Sequence, residues 1–251
     1  MGFKTNSALR LAGGAVFDRD GRPKTHIARG IERAVEVQRP LVLANIRRLQ
    51  RRHPNASAAE LVKILEHHYL AAVSGGGAAV GATAIVPAVG TAAALGLSVA
   101  ATVGFLEATA LYAQSVAELH GVRLQDPDRS RTVVMAIMLG EEGTAMMQQL
   151  SKGQPWGSAL GGASSGMLGS IGSTIRKQFL KKMLARQGSV IVGRALPLGV
   201  GAVIGGAGNY TMGRSVIKAA HRAFGEAPDT IPGELAAEIM DLPDSRSSER
   251  S

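Results

Sequence analysis

Apolar residues recur along this chain at intervals of three and four, which is the spacing typical of amphipathic helices. The interval is clear at Ile27, Ile31 and Val35, and it resumes after Pro40 in a segment that ends in a basic cluster before His53. Pro40 is compatible with a kink in one helix or with the first turn of a new helix. Strand-like alternation of period two never persists, so the sequence predicts an all-α protein.

Two helix starts carry clear local signals. Ser57 followed by Glu60 forms the pattern of a capping box and precedes an apolar helical stripe. Asp126 followed by Pro127 combines a good N-cap residue with a residue suited to the first helical position. The helix after Pro127 is predicted to run to Gly140, where the Gly-Glu-Glu-Gly sequence interrupts it.

The 38 residues from Tyr69 to Leu106 contain no charged side chain. A bilayer crossing needs about 20 apolar residues, so this length permits one crossing or a helical hairpin of two arms. Pro87 and Gly90 predict a turn around Val86–Gly90, which favours the hairpin. Much of the segment is Ala, Gly, Ser and Thr, which contribute little to membrane insertion. Burial in a membrane and burial in a soluble bundle therefore both stay open.

Glycines spaced by four residues recur in this segment and in two later apolar regions, 153–175 and 195–213. Such pairs let two helix backbones approach closely, both in lipid and in soluble bundles. We therefore expect helix packing at four glycine pairs: Gly77 and Gly81, Gly157 and Gly161, Gly162 and Gly166, and Gly201 and Gly205.

Positive charge is concentrated in parts of the chain, whose formal net charge is +9. Residues 143–225 carry ten Lys and Arg and no carboxylate, whereas residues 226–251 are acidic. Ile171, Ile175, Phe179 and Met183 form a helical stripe with Lys and Arg largely elsewhere, a pattern found on anionic membrane surfaces and on ordinary solvated helices. The candidate lipid-contacting residues are Arg47, Arg48, Arg51, Arg52, Lys177, Lys181 and Lys182.

The sequence contains no convincing catalytic or metal-binding motif. It has no cysteine, which excludes thiolate nucleophiles, thiolate metal ligands and disulfides. Residues 162–166 match the Gly-x-Ser-x-Gly pattern, but no predicted strand precedes Ser164, as a nucleophile elbow requires. His67 and His68 are adjacent and would point about 100° apart on a helix. We expect no cofactor and no metal site.

Several polar residues interrupt apolar surroundings and are candidates for burial. Glu107 is the first charged residue after the 38 uncharged positions, and Glu141 and Glu142 lie between two glycines. A carboxylate in such a place is either buried, with a raised pKa, or at a membrane interface, but helix capping or solvation is the favoured explanation. The full set of buried polar candidates is Glu107, Glu141, Glu142, His120 and Asn209.

Three ordered stretches within about residues 60–225 make the chain resemble the EcsC-like family, which occurs in bacterial gene clusters that encode an ABC transporter. They are GGGAAVGATAIVPAVGTAAALGLSVA, YAQSVAELHGVRLQDPDRSRTVVMAIMLG and PLGVGAVIGGAGNYTMGRSVIKAAHRAF. The most distinctive spacing is His120-Gly121, Asp126-Pro127 and Gly140; an aromatic residue commonly precedes that first glycine in the family. The resemblance implies an α-helical, membrane-associated protein without a well-defined activity.

These patterns predict three parts: a basic helical region over 1–55, an EcsC-like helical domain over 56–225, and an acidic, partly disordered tail over 226–251. The expected function is that of a non-catalytic accessory protein on the cytoplasmic side of the cytoplasmic membrane, integral or peripheral, with anionic lipid or a membrane protein as partner. Two alternatives remain. One is a soluble helical hydrolase or binder of a lipid-like substrate, using Glu107 or Glu142. The other is a basic nucleic-acid-binding module, which the lack of stacking aromatic residues disfavours. The sequence does not indicate whether the chain forms a homo-oligomer.

Overall fold

The computed structural model describes residues 25–83, 91–151, 155–159, 165–193 and 200–242. Within these ranges the secondary structure is entirely helical, which confirms the prediction of an all-α protein. The helices are α1 Thr25–Ala34, α2 Arg39–Arg52, α3 Ala58–Thr83, α4 Thr91–Leu119, α5 Pro127–Leu139, α6 Glu141–Ser151, α7 Trp156–Ala159, α8 Ser165–Gly193, α9 Val200–Phe224 and α10 Gly233–Asp241.

The helix starts follow from local hydrogen bonds. Pro40 lies in the first turn of α2, so it begins a helix and does not kink one. At the start of α3 the backbone N–H of Ser57 donates to Glu60 over 2.8 Å, and the N–H of Glu60 donates to the Ser57 hydroxyl over 3.1 Å. This reciprocal pair is the predicted capping box. At the start of α5 the Asp126 side chain accepts from the N–H groups of Asp128 and Arg129, as predicted for an N-cap.

The charge-free segment forms two packed helices, α3 and α4. Tyr69 of α3 stacks on Tyr112 of α4 with ring centroids 4.7 Å apart, and its hydroxyl lies 2.9 Å from the Thr109 hydroxyl oxygen. The predicted turn at 86–90 lies outside the described residues. The pairing of Tyr69 with Thr109 and Tyr112, near the far ends of the two arms, is the register expected of a hairpin.

Helix α9 packs along α3 more extensively than any other described pair of helices pack together. The Asn209 side-chain amide donates to the backbone carbonyl of Val73 over 2.9 Å. At Gly213 the two helices are so close that an added Cβ would lie 2.8 Å from Leu70 and 3.2 Å from Val73. The third apolar region of the sequence is thus a partner for the first.

The centre of the molecule is formed by the second half of α4 and by α5. Residues 112–119 and 132–137 are buried at every position, so these segments lack the exposed polar face of a surface helix. Helices α2 and α10 also contribute buried side chains, including Ile46 and Ile239. One buried cluster therefore contains residues from all three segments that the sequence delimits at 55 and 225.

The described helices include none that is both long enough and apolar enough to span a membrane.

Candidate functional site

Among the described residues of the charge-free segment 69–106, the exposed positions carry neither charge nor bulk. Val73, Phe105 and Leu106 of this segment are buried. The described exposed positions in the charge-free segment are small and apolar: Ala71, Ala72, Gly75, Gly76, Ala100 and Gly104. Ala207 and Gly208 of the adjoining α9 are also exposed, and so is Tyr210. We call these positions the uncharged surface.

The basic candidates differ in their exposure to solvent and in the contacts that they make. Arg48, Arg51 and Arg52 of α2 are exposed, as are Lys177 and Lys181 of α8. On α8 the predicted stripe of Ile175, Phe179 and Met183 is buried, so the two lysines face away from the core. Arg47 is half-buried and donates to the Leu242 carbonyl, and Lys182 Nζ lies 2.9 Å from Glu142 Oε2. Arg47 and Lys182 therefore already make contacts within the protein.

Carboxylates from other segments neutralise part of the acid-free stretch 143–225. Glu141 lies 3.2 Å from Arg222 and 3.9 Å from Lys218, and Glu32 lies 2.6 Å from Arg176. Glu141 and Glu142 also occupy the first turn of α6, where the helix dipole favours negative charge. The positive charge of this stretch is thus partly compensated within the fold.

All three carboxylates named as candidates for burial are exposed, which agrees with the favoured alternative of helix capping or solvation. Glu107 faces solvent because Leu106, Thr109 and Ala110 form the inner side of α4 at that turn. The Glu141 and Glu142 side chains are 77% and 55% exposed, because they reach across the surface to their cationic partners. His120 and Asn209 are half-buried.

The predicted packing glycines differ in burial and in the space around them. Gly157 is buried against Phe224 so closely that no Cβ could fit, and Gly77 is buried as well. Gly166 is exposed, with open space where a Cβ would lie, so the packing prediction is wrong there. The remaining predicted glycines lie at positions whose packing falls outside the described part of the chain: Gly81, Gly161, Gly162, Gly201 and Gly205.

A small polar cluster lies where α3, α4 and α9 meet. Glu66, Tyr112, His120 and His221 line a cavity of about 10 Å³. His221 Nε2 lies 2.7 Å from Glu66 Oε1 at the exposed side of the cluster. On the buried side, the Tyr112 hydroxyl and His120 Nε2 have no hydrogen-bond partner among the described residues. We call these four residues the polar cluster.

Burial changes the acidity of the inner members of the polar cluster. Desolvation raises the pKa of Tyr112, and the nearby Glu66 carboxylate adds to this effect. Desolvation lowers the pKa of His120, and the backbone of Val116 and Gly225 opposes that shift in part. Burial therefore disfavours the charged form of both side chains.

A buried ion pair joins three helices and was missed from the sequence. Glu118 of α4 is only 3% exposed, and both of its carboxylate oxygens accept from Arg39 of α2, over 2.7 and 3.0 Å. Arg39 also donates to Glu238 of α10 over 2.6 Å. These contacts raise the pKa of Arg39 and lower that of Glu238. The sequence signal was weak, because Glu118 is a single acid near a helix end.

A larger cleft of about 370 Å³ lies between α1, α5 and α8. Three arginines line it, Arg129, Arg131 and Arg176, together with three carboxylates that offset their charge. Arg131 lies 2.7 Å from Asp128, and Arg176 pairs with Glu32, so these guanidinium groups are held by the fold. The cleft is thus a charge-balanced polar surface.

The described ranges hold no group of three His, Asp or Glu side chains that could bind a metal ion. Ser164, of the Gly-x-Ser-x-Gly match, lies outside them. Glu107, the acid considered for a hydrolase, is exposed and is not among the residues that line either cavity. The chain matches none of the protein-family models, curated proteins or solved structures with which it was compared.

Proposed function

We propose that this protein is a non-catalytic helical accessory protein that associates with a membrane, through anionic lipid or a membrane protein partner. The observation that carries the proposal is the uncharged surface of the α3–α4 hairpin and α9. Exposed helix faces of soluble proteins are normally rich in charged residues. An outward surface of Ala and Gly suits contact with a lipid interface or with another helix.

The exposed basic residues of α2 and α8 support the same proposal. Arg48, Arg52, Lys177 and Lys181 form no ion pair with any described residue, so they are free to meet anionic headgroups. Each basic residue near an anionic bilayer contributes about 1 kcal/mol of binding free energy. The three stretches that resemble the EcsC-like family point to the same class of protein, on the cytoplasmic side of the cytoplasmic membrane.

Fractionation of cells that express the full chain tests membrane association directly. We expect the protein in the membrane fraction, released by detergent, with alkaline carbonate separating a peripheral from an integral attachment. Recovery entirely in the untreated soluble fraction would contradict the proposal.

A charge placed on the uncharged surface tests which part of the molecule makes the contact. Gly76 is exposed, with open space at its Cβ position, so Gly76→Glu fits without a clash. The matched control is Gly30→Glu in α1, which is equally exposed and unobstructed. We expect Gly76→Glu to reduce the membrane-bound fraction and Gly30→Glu to leave it near the wild-type value. Equal effects of the two variants would show that overall charge, and not this surface, is responsible.

The contribution of the basic residues is measured by co-sedimentation with vesicles of equal parts phosphatidylglycerol and phosphatidylcholine. Lys177→Gln with Lys181→Gln removes two exposed charges, so binding should weaken by about 30-fold, from about 1 kcal/mol per residue. The control pair, Arg33→Gln with Lys63→Gln, removes the same charge from exposed positions of α1 and α3. Salt should weaken wild-type binding. Equal losses in the two pairs would argue against a specific role for α8.

A further inference from the structure

The inner wall of the polar cluster presents two hydrogen-bonding atoms without a partner. Tyr112 is 2% exposed, and its hydroxyl has no hydrogen-bond partner in the described ranges. Burying an unpaired hydroxyl is unfavourable, so such groups in folded proteins normally have a hydrogen-bond partner. The second atom is His120 Nε2, which is buried and equally unpartnered.

The proton on His120 can be assigned from its other nitrogen. His120 Nδ1 lies 2.7 Å from the carbonyl oxygen of Val116. A carbonyl oxygen only accepts hydrogen bonds, so Nδ1 carries the hydrogen and the neutral ring has its lone pair on Nε2. The cavity therefore offers an acceptor at His120 Nε2 and a group at Tyr112 that can both donate and accept.

The size and lining of the cavity select the ligand. Its volume of about 10 Å³ is close to the minimum for one water molecule and too small for an organic substrate. A buried water needs two to four polar partners. Tyr112 and His120 supply two, and the Glu66 carboxylate, which also lines the cavity, is available as a third.

We propose that this cavity binds one water molecule, which donates to His120 Nε2 and accepts from the Tyr112 hydroxyl. The water satisfies both buried atoms and connects α4 to the Glu66–His221 pair of α3 and α9. This site is separate from the uncharged surface and does not depend on membrane association.

A double-mutant cycle tests the water-mediated link through thermal unfolding of the full chain. Tyr112→Phe and His120→Phe each remove one partner of the water and should each lower Tm by about 2–4 °C. Because both changes act on the same water, the double variant should lose less than the sum of the two single losses. The control cycle pairs His120→Phe with Tyr69→Phe, whose hydroxyl is bound to Thr109, and should be additive.

Other outcomes of these experiments would contradict the proposed water site. If the Tyr112 hydroxyl had no partner in the folded protein, Tyr112→Phe would raise Tm or leave it unchanged, which would overturn the proposal. Additivity in the Tyr112 cycle would also overturn it. A crystal structure that resolves ordered waters supplies an independent readout that does not depend on how the variants fold. It should show a water about 3 Å from both atoms, and direct contact of the two atoms or an apolar void would contradict the site.

Discussion

His120 is an aromatic packing residue that also titrates. Its ring centroid lies 5.5 Å from that of Phe224, and Phe224 in turn lies 6.3 Å from Trp156. The charged and titratable groups that face it are Glu66, Tyr112 and His221 of the polar cluster. Burial lowers the pKa of His120 from its ordinary 6.5, so folding becomes linked to pH at this residue.

The lowered pKa of His120 predicts how the free energy of unfolding changes with pH. Above pH 6.5 the imidazole is neutral in both the folded and the unfolded chain, so it contributes no pH dependence. As the pH falls through 6.5, the unfolded chain takes up a proton that the folded protein resists, so the free energy of unfolding decreases. Denaturant unfolding of His120→Phe should show a shallower loss of stability than wild type as the pH falls below 6.5.

The control for this experiment is His67→Gln, which changes an exposed histidine of α3. It should retain the wild-type pH profile. A His120→Phe profile parallel to that of wild type would show that another group is responsible for the acid sensitivity.

At the scale of the element, a glycine of α9 makes a close contact with α3. Gly213 faces Leu70 and Val73 of α3, whereas Gly208 of the same helix is exposed, with nothing near its Cβ position. The two glycines are thus a matched pair in one helix. They separate the cost of a clash between helices from the general preference of helices for alanine.

We expect opposite effects of alanine at these two positions. Gly213→Ala forces Leu70 and Val73 to shift and should destabilise the protein by about 1–3 kcal/mol. Gly208→Ala should be neutral or stabilise it by up to about 1 kcal/mol, because alanine has the higher helix propensity. Chemical denaturation measures both. Similar effects of the two substitutions would contradict the tight α3–α9 contact.

At the scale of the whole molecule, Arg39 joins the first and last parts of the described chain to its centre. Its guanidinium group binds Glu118, which is 79 residues away in sequence, and Glu238, which is 199 residues away. Glu118 is buried, so its carboxylate depends on Arg39 for charge compensation. Helices α2, α4 and α10 should therefore unfold together in one transition.

Substitution of Arg39 tests this coupling. Arg39→Met leaves the Glu118 carboxylate buried without its partner and should cost about 3–5 kcal/mol of unfolding free energy. The double variant Arg39→Met with Glu118→Leu removes both charges and should recover much of that loss. Thermal unfolding followed by circular dichroism gives both values and shows whether one transition remains. No recovery in the double variant would mean that Arg39 acts through packing and not through the buried charge.

The sequence alone determined the features that depend on neighbouring residues. The helix starts at Ser57 and Asp126 follow from caps whose partners lie two or three positions away. The buried stripe of α8 follows from helical periodicity, since every fourth residue returns to the same face. The all-α class belongs to the same category.

Only the tertiary structure decided the features whose partners are distant in sequence. It buried Glu118 against Arg39 and exposed Glu107, although both are acids of the same apolar helix. It placed Gly213, which belongs to none of the predicted glycine pairs, at a close helix contact and left Gly166 in the open. It also brought Tyr112, His120 and the Glu66–His221 pair around one cavity. Burial and pairing depend on which helix faces meet, and periodicity within one helix does not contain that information.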